Sequence, residues 1–304
     1  LRGMAWARRE RCRTLLCSRI EHPAVRETVE ALVKEGFQAE WIAPGADGVV
    51  TVEAFAERLN SGVSLAALML ANNETGAIQP VAEVAARCRQ AGVLLHVDAI
   101  QAAGKLSLDV AQLDCDTLAL SAHKFEGPKG VGLLFARSGT PLHPQITGGG
   151  QERLLRGGTE NVAGIVGLGE ALRLAERERL AEMVRQARLR DELERGLREG
   201  VADAVLLGSA DPARRLPNTL FMAFPGCLAA DLVMALDLEG VAASTGSACS
   251  EGTAQPSEVL RAMGVEDALL GSAVRFSLGR RTTQAEVDGA IQAVGRVVRR
   301  LKGR

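Results

Sequence analysis

The chain has 304 residues, 47% of them hydrophobic, and a formal net charge of −1. That length supports one large domain and a smaller one, each with its own core, and the balanced charge gives no electrostatic case for a nucleic-acid partner. No apolar stretch is long enough to span a bilayer, and the first residues lack the order of a signal peptide, so the expectation is a soluble, cytoplasmic protein with no membrane partner.

Leu1 to Glu10 patterns as a helix with no N-cap before it, so the sequence is expected to be a fragment. Ser64 to Ala71 (SLAALMLA) is an apolar run of strand length ending at the polar cluster Asn72-Asn73-Glu74-Thr75-Gly76. A helical pattern runs from Val81 to Ala91 and stops at Gly92; a second apolar run, Val93 to Val97, ends at Asp98. After a short helix, Thr117 to Leu120 ends at Ser121-Ala122-His123-Lys124, and a Gly/Pro turn leads to the strand Gly132 to Ala136. Continuous apolar strands alternating with helices predict an α/β fold with a largely parallel sheet covered on both faces. In such sheets ligands gather at the carboxyl ends of the strands. The clusters NNETG, DAIQ and SAHK all fall there.

From Val166 to Gly200 the pattern is helical and dense in Arg and Glu, which predicts a solvated linking helix. Strands near Asn218–Phe224, Val241–Ala243 and Ala273–Ser277 then predict a smaller α+β domain, giving a division into residues 1–165 and 166–304. The basic tail, Arg296 to Arg304, reads as a solvated helix end.

Six cysteines are present: Cys12, Cys17, Cys88, Cys115, Cys227 and Cys249. None stands in a CxxC pair and no zinc-type spacing occurs, so no metal site is predicted and the thiols are expected to be reduced. Five sit in apolar or helical surroundings and read as buried residues. Cys249 differs: its neighbours Gly246, Ser247, Ser250, Gly252 and Thr253 are small or polar, as in a loop that must move.

Lys124 follows a strand directly, beside His123 and before Gly127-Pro128-Lys129-Gly130. A lysine in surroundings that favour its neutral amine can form a Schiff base with a carbonyl cofactor; the plain alternative is a surface lysine in a turn. Asp98, at the end of an apolar strand, needs a cationic or hydrogen-bonding partner. The protonated ring nitrogen of pyridoxal phosphate is one such partner, and a helix cap is the plain alternative. Gln101, three residues on, could reach the ring's phenolic oxygen from the same turn.

HVDAIQAAGK (His96 to Lys105) followed by SAHKFEGPKGVG (Ser121 to Gly132) resembles the class V, fold-type I family of pyridoxal-phosphate enzymes. IEHPAV (Ile20 to Val25), ANNETG, GGGQERLLRGGTEN (Gly148 to Asn161), STGSACSEG (Ser244 to Gly252) and VRFSLGR (Val274 to Arg280) narrow the resemblance to NifS/IscS-type cysteine desulfurases, in the same order over nearly the whole chain.

The resemblance implies roles by position. Lys124 matches the lysine that carries the cofactor, His22 the histidine stacked on the ring, Asp98 the partner of the ring nitrogen and Gln101 the phenolic-oxygen contact. Ser121 and His123 match phosphate ligands, and Thr159 matches one given across a homodimer interface. Asn73, counted with the cofactor contacts too, and Arg275 match the groups that hold the substrate carboxylate, a task suited to the planar guanidinium fork. Cys249 matches the nucleophile that takes sulfur from L-cysteine as a persulfide, leaving L-alanine. Lys124 and His22 would move protons. The sulfur would pass to an acceptor protein such as an iron–sulfur scaffold. Two departures stand out: the family's phosphate-binding turn falls before Leu1, and Glu126 stands where many relatives carry an aromatic residue. A selenocysteine lyase, an aminotransferase-like member without need of Cys249 and an inactive fragment of the fold are the rival expectations.

Overall fold

The computed structural model describes residues 1–246 and 256–303. In chain order the elements are α1 (Arg2–Arg8), β1 (Thr14–Ser18), α2 (Pro23–Lys34), β2 (Gln38–Ile42), α3 (Val52–Ala56), β3 (Val63–Ala67), α4 (Val81–Ala91), β4 (Leu94–Asp98), α5 (Val110–Leu113), β5 (Thr117–Ser121) and β6 (Gly132–Ala136). They continue as α6 (Val162–Gly200), β7 (Val205–Leu206), β8 (Thr219–Ala223), α7 (Ala229–Leu238), α8 (Glu258–Ala262), α9 (Asp267–Leu270), β9 (Ala273–Ser277) and α10 (Gln284–Lys302).

The chain forms two compact units. The first comprises Leu1–Ala43, Val50–Ala71 and Gln79–Arg179; the second comprises Pro44–Val49, Asn72–Ile78 and Leu180–Arg304. Two short excursions thus leave the first unit for the second, where the sequence suggests two continuous spans. The NNETG cluster lies in one of them.

In the first unit a six-stranded sheet runs in the order β2-β1-β3-β4-β5-β6. All neighbours are parallel except β5 and β6, which are antiparallel. Every residue of β3 is buried, as expected of a central strand covered on both faces. Helix α4 covers the predicted span and ends at Gly92 in the left-handed conformation (φ 68°), which a residue without Cβ adopts at little cost. On one face, Met4, Leu15, Val25, Val29, Leu32, Phe37 and Leu65 form a single cluster, and each fully buried aliphatic or aromatic side chain there contributes about 1.5–3 kcal/mol.

The second unit has a three-stranded antiparallel sheet, β7-β8-β9. Its core joins the second half of α6 (Leu189, Leu193, Leu197) to β8, β9, α7 and α10. Helix α10 opens with a capping box between Thr283 and Glu286, which satisfies two otherwise orphaned N–H groups. Its basic end is not wholly solvated, because Val297 and Val298 are buried in that core. The predicted strand at Val241–Ala243 does not form. Ser244 instead makes an isolated bridge to Arg275, and the third strand is β7. No helix among the described residues is long and apolar enough to cross a membrane.

Candidate active site

Four chain segments of the first unit carry most of the predicted cofactor set: the β1–α2 turn, the end of β4, the turn after it, and the end of β5 with the turn it leads into, whereas Thr159 precedes α6 and Asn73 belongs to the second unit. His22 is the N-cap of α2, and its Nδ1 accepts the Ala24 N–H at 3.1 Å, so in the neutral ring the proton sits on Nε2. Burial lowers its pKa from the ordinary value; the negative charge of Asp98 works against that, and the positive charge of Lys124 adds to it.

Asp98 ends β4 and is 5% exposed. Its Oδ1 accepts the Ile100 N–H at 2.9 Å. Burial pushes the carboxyl up, while that hydrogen bond and the charges of His22 and Lys124 pull it down. His22, Asp98 and Lys124 therefore lie close enough to feel one another's charge.

Ser121 ends β5, and a single 3₁₀ turn, Ala122–Phe125, presents the next side chains. Ser121 Oγ and His123 Nδ1 are 2.8 Å apart. His123 and Lys124 are exposed. Burial lowers the His123 pKa, with help from Lys124 and Lys129. The turn closes at Glu126 in the left-handed conformation (φ 66°), an uncommon position for a residue with a side chain. Gln101 is half-buried, and its main-chain carbonyl accepts from Lys105 Nζ at 3.0 Å. Thr159 is exposed in the segment before α6.

The second unit holds the predicted substrate set. Arg275 on β9 is half-buried, and its Nη1 donates to the main-chain carbonyls of Asn73 at 2.7 Å and Gly246 at 3.1 Å. Cys249 lies outside the described residues.

Two further groups escape the sequence reading. Glu21, beside His22, is 2% exposed, and its Oε1 accepts both the Ser18 hydroxyl and the Met69 N–H at 2.6 Å. Oε2 meets no hydrogen-bond partner among the described residues. Burial first, then the charge of Asp98, pushes this carboxyl up to about 8 against the two hydrogen bonds. Lys105 is pushed down to about 8 by burial and by Lys124. Both stand in quoted motifs, but depth of burial, which marks them, is a tertiary property.

The donor set fits pyridoxal phosphate. A buried carboxylate that cations stabilise suits a protonated ring nitrogen, an exposed lysine beside it suits an aldehyde, and the Ser121–His123 pair at a strand end suits an anion.

An α/β sheet with these groups at its strand ends defines a class, and the family profile for aminotransferase class-V matches residues 3–289. The chain belongs to that family, whose members are pyridoxal-phosphate enzymes of fold type I. Within it the chain falls among the cysteine desulfurases. It is 36% identical over 302 residues to cysteine desulfurase IscS of Clostridium botulinum (strain Hall), an alignment covering 99% of this chain and 76% of that protein. It is 47% identical over 284 residues to the cysteine desulfurase of Bradyrhizobium diazoefficiens, covering 93% and 71%. The solved structure of a NifS-like protein superposes with a TM-score of 0.90 at 35% identity, covering 98% of this chain and 78% of that one.

Proposed function

We propose that this chain converts L-cysteine to L-alanine with pyridoxal phosphate, takes the sulfur as a persulfide on Cys249, and passes it to an acceptor protein such as an iron–sulfur scaffold. The observation that carries the reading is the placement of His22, Asp98, Ser121, His123 and Lys124 at strand ends and the turns after them in the first unit, in a chain similar to cysteine desulfurases over nearly all its length.

When bound, the cofactor supplies an electron sink for the substrate's Cα. Lys124 would hold it and would move a proton at the substrate Cα. Asp98 holds negative charge opposite the ring nitrogen. His22, with Nδ1 engaged by Ala24, exchanges a proton only at Nε2. Ser121 and His123 hold the phosphate, Gln101 takes the phenolic oxygen, and Arg275 with Asn73 takes the substrate carboxylate. The Cys249 thiolate then attacks the substrate sulfur. The new S–S bond forms as the Cβ–S bond breaks, its electron pair stays on carbon, and a proton completes the alanine methyl.

We also assign the chain to a homodimer in the cytoplasm. Val162, Ile165 and Val166, at i, i+3 and i+4 on one face of α6, are all exposed, and apolar surface of that kind suits a second copy with Thr159 nearby in sequence. The five described cysteines are free and buried, in keeping with a reducing compartment.

The test of the cofactor assignment is Lys124→Ala. Borohydride should fix cofactor to the unaltered chain and release none on denaturation, whereas the variant should lose all cofactor on dialysis. A variant still covalently labelled at another lysine would remove Lys124 from the reading.

A further inference from the structure

We infer that Glu74 is a positioning residue for the nucleophile: its buried carboxylate accepts a hydrogen bond from Ser257 and lies close to Gly246, described residues on either side of the span that carries Cys249. The inference rests on the reading of Cys249 given above.

Glu74 is 6% exposed and lies in the second unit with both partners. Its Oε2 accepts the Ser257 hydroxyl, 183 residues away in sequence. Ser257 Oγ in turn accepts the Leu260 N–H at 3.1 Å and caps α8. On the other side is Gly246, at φ +94°. A Cβ built there would lie 3.2 Å from the same Oε2 and 2.7 Å from Phe221 Cζ. The Gly246 main chain therefore packs against the carboxylate with no room for a side chain. One carboxylate oxygen thus accepts from Ser257 and helps leave no room for a side chain at Gly246.

The other end of the arrangement is the substrate set. Glu74 follows Asn73 directly, and its own N–H, like that of Thr75, donates to Asn72 Oδ1 at 2.9 Å, fixing the turn. Arg275 joins the same pieces through their main chains, bonding to Asn73 O and Gly246 O. The segment predicted to hold the substrate carboxylate is thereby built into the footing of the predicted nucleophile. Stability alone does not call for a carboxylate here. Desolvating one is costly, and a well-packed apolar side chain serves a core at least as well.

The test uses the full chain with cofactor and compares Glu74→Leu, Glu74→Gln and Ser257→Ala. Three quantities are read: the rate of iodoacetamide alkylation at Cys249 followed by mass spectrometry, kcat, and KM for L-cysteine. For Glu74→Leu the alkylation rate should shift by about fivefold or more and kcat fall by about tenfold or more, with KM within about twofold, because the footing rather than substrate binding is lost. Glu74→Gln should recover most of both, since its amide oxygen still accepts the Ser257 hydroxyl. Ser257→Ala should resemble Glu74→Leu, and the double variant should be no worse than either single one. It also carries the test by itself if Glu74→Leu does not fold. Unchanged alkylation and kcat in Glu74→Leu or, failing that, in Ser257→Ala would overturn the inference. Loss in both Leu and Gln variants with an equal fall in thermal stability would overturn it too, by making Glu74 a core residue. Cys249→Ser, run beside them, separates the two readings. If it abolishes turnover while Glu74→Leu does not, only the positioning role fails.

Discussion

Arg275 Nη1 donates to the main-chain carbonyl of Asn73 at 2.7 Å, joining residues 202 apart in sequence within one unit. The guanidinium is thus held in place by its own protein before any substrate arrives. A lysine at this position keeps the charge but not the planar fork, so it cannot both bond the Asn73 carbonyl and pair a carboxylate in two places. Arg275→Lys should lower kcat/KM for L-cysteine by about 10–100-fold, chiefly through KM, as expected for the loss of a charged hydrogen bond. Steady-state kinetics decide it. A KM like that of the unaltered protein would free Arg275 from substrate binding.

Asp98→Asn keeps the shape of the side chain and removes its charge. The neutral amide no longer stabilises a protonated ring nitrogen, so turnover should fall on the order of 10²-fold or more while the cofactor remains attached through Lys124. Absorbance reports attachment, and alanine formation reports turnover. Near-normal turnover would return Asp98 to the part it visibly plays for Ile100, a strand-end cap.

Much of the first sheet is legible in sequence, because β3, β4 and β5 are written as apolar runs between turn residues, and α4 carries a helical period closed by Gly92. Non-local pairing is not legible. Ala243 reads like its apolar neighbours, yet only Ser244 pairs, and β7 is two residues long, too short to leave a pattern. The NNETG cluster reads as a strand-end loop of the first unit, but the backbone of Gly76, Ala77 and Ile78 pairs with residues 214–216 and the cluster belongs to the second. Of the site, Lys124, Asp98 and His22 are legible by position and motif. Glu21, Lys105 and Glu74 are not, because what sets them apart is burial and partners up to 183 residues away.

Glu21 makes a prediction about stability. Its carboxyl is pushed from an ordinary 4.5 up to about 8 in the folded protein. Between those values the folded chain holds a proton that the unfolded chain has lost, so the unfolded state binds fewer protons and stability falls as pH rises. The contribution of the neutral group is complete below about 4.5 and is gone above about 8. Glu21→Gln has no such proton to lose. Across pH 5 to 8 the stability of the unaltered chain relative to this variant should decline by up to about 1.4 kcal/mol per pH unit. Chemical denaturation at several pH values measures it. Parallel curves for the two proteins would mean that Glu21 is ionised in the fold.

Cys249→Ser separates the desulfurase from its rivals, because serine keeps the size and polarity but cannot take up sulfur. Cofactor attachment through Lys124 and the spectral change on adding L-cysteine should survive. Alanine formation should fall to background, and no protein-bound persulfide should be trapped by alkylation and mass spectrometry. Four of the remaining thiols offer no substitute: Cys88 and Cys115 are pushed up to about 12 and about 11, chiefly by burial, and Cys17 and Cys227 are raised for the same reason, so little of their thiolate is present at neutral pH. Cys88→Ala, which removes a buried sulfur from α4 in the first unit, should cost stability yet leave persulfide formation on Cys249 intact. Normal alanine production by Cys249→Ser would exclude the persulfide route and favour an aminotransferase-like reaction. Loss of cysteine turnover with selenocysteine turnover retained would favour a lyase, since selenium leaves carbon more readily and needs less help from a thiolate.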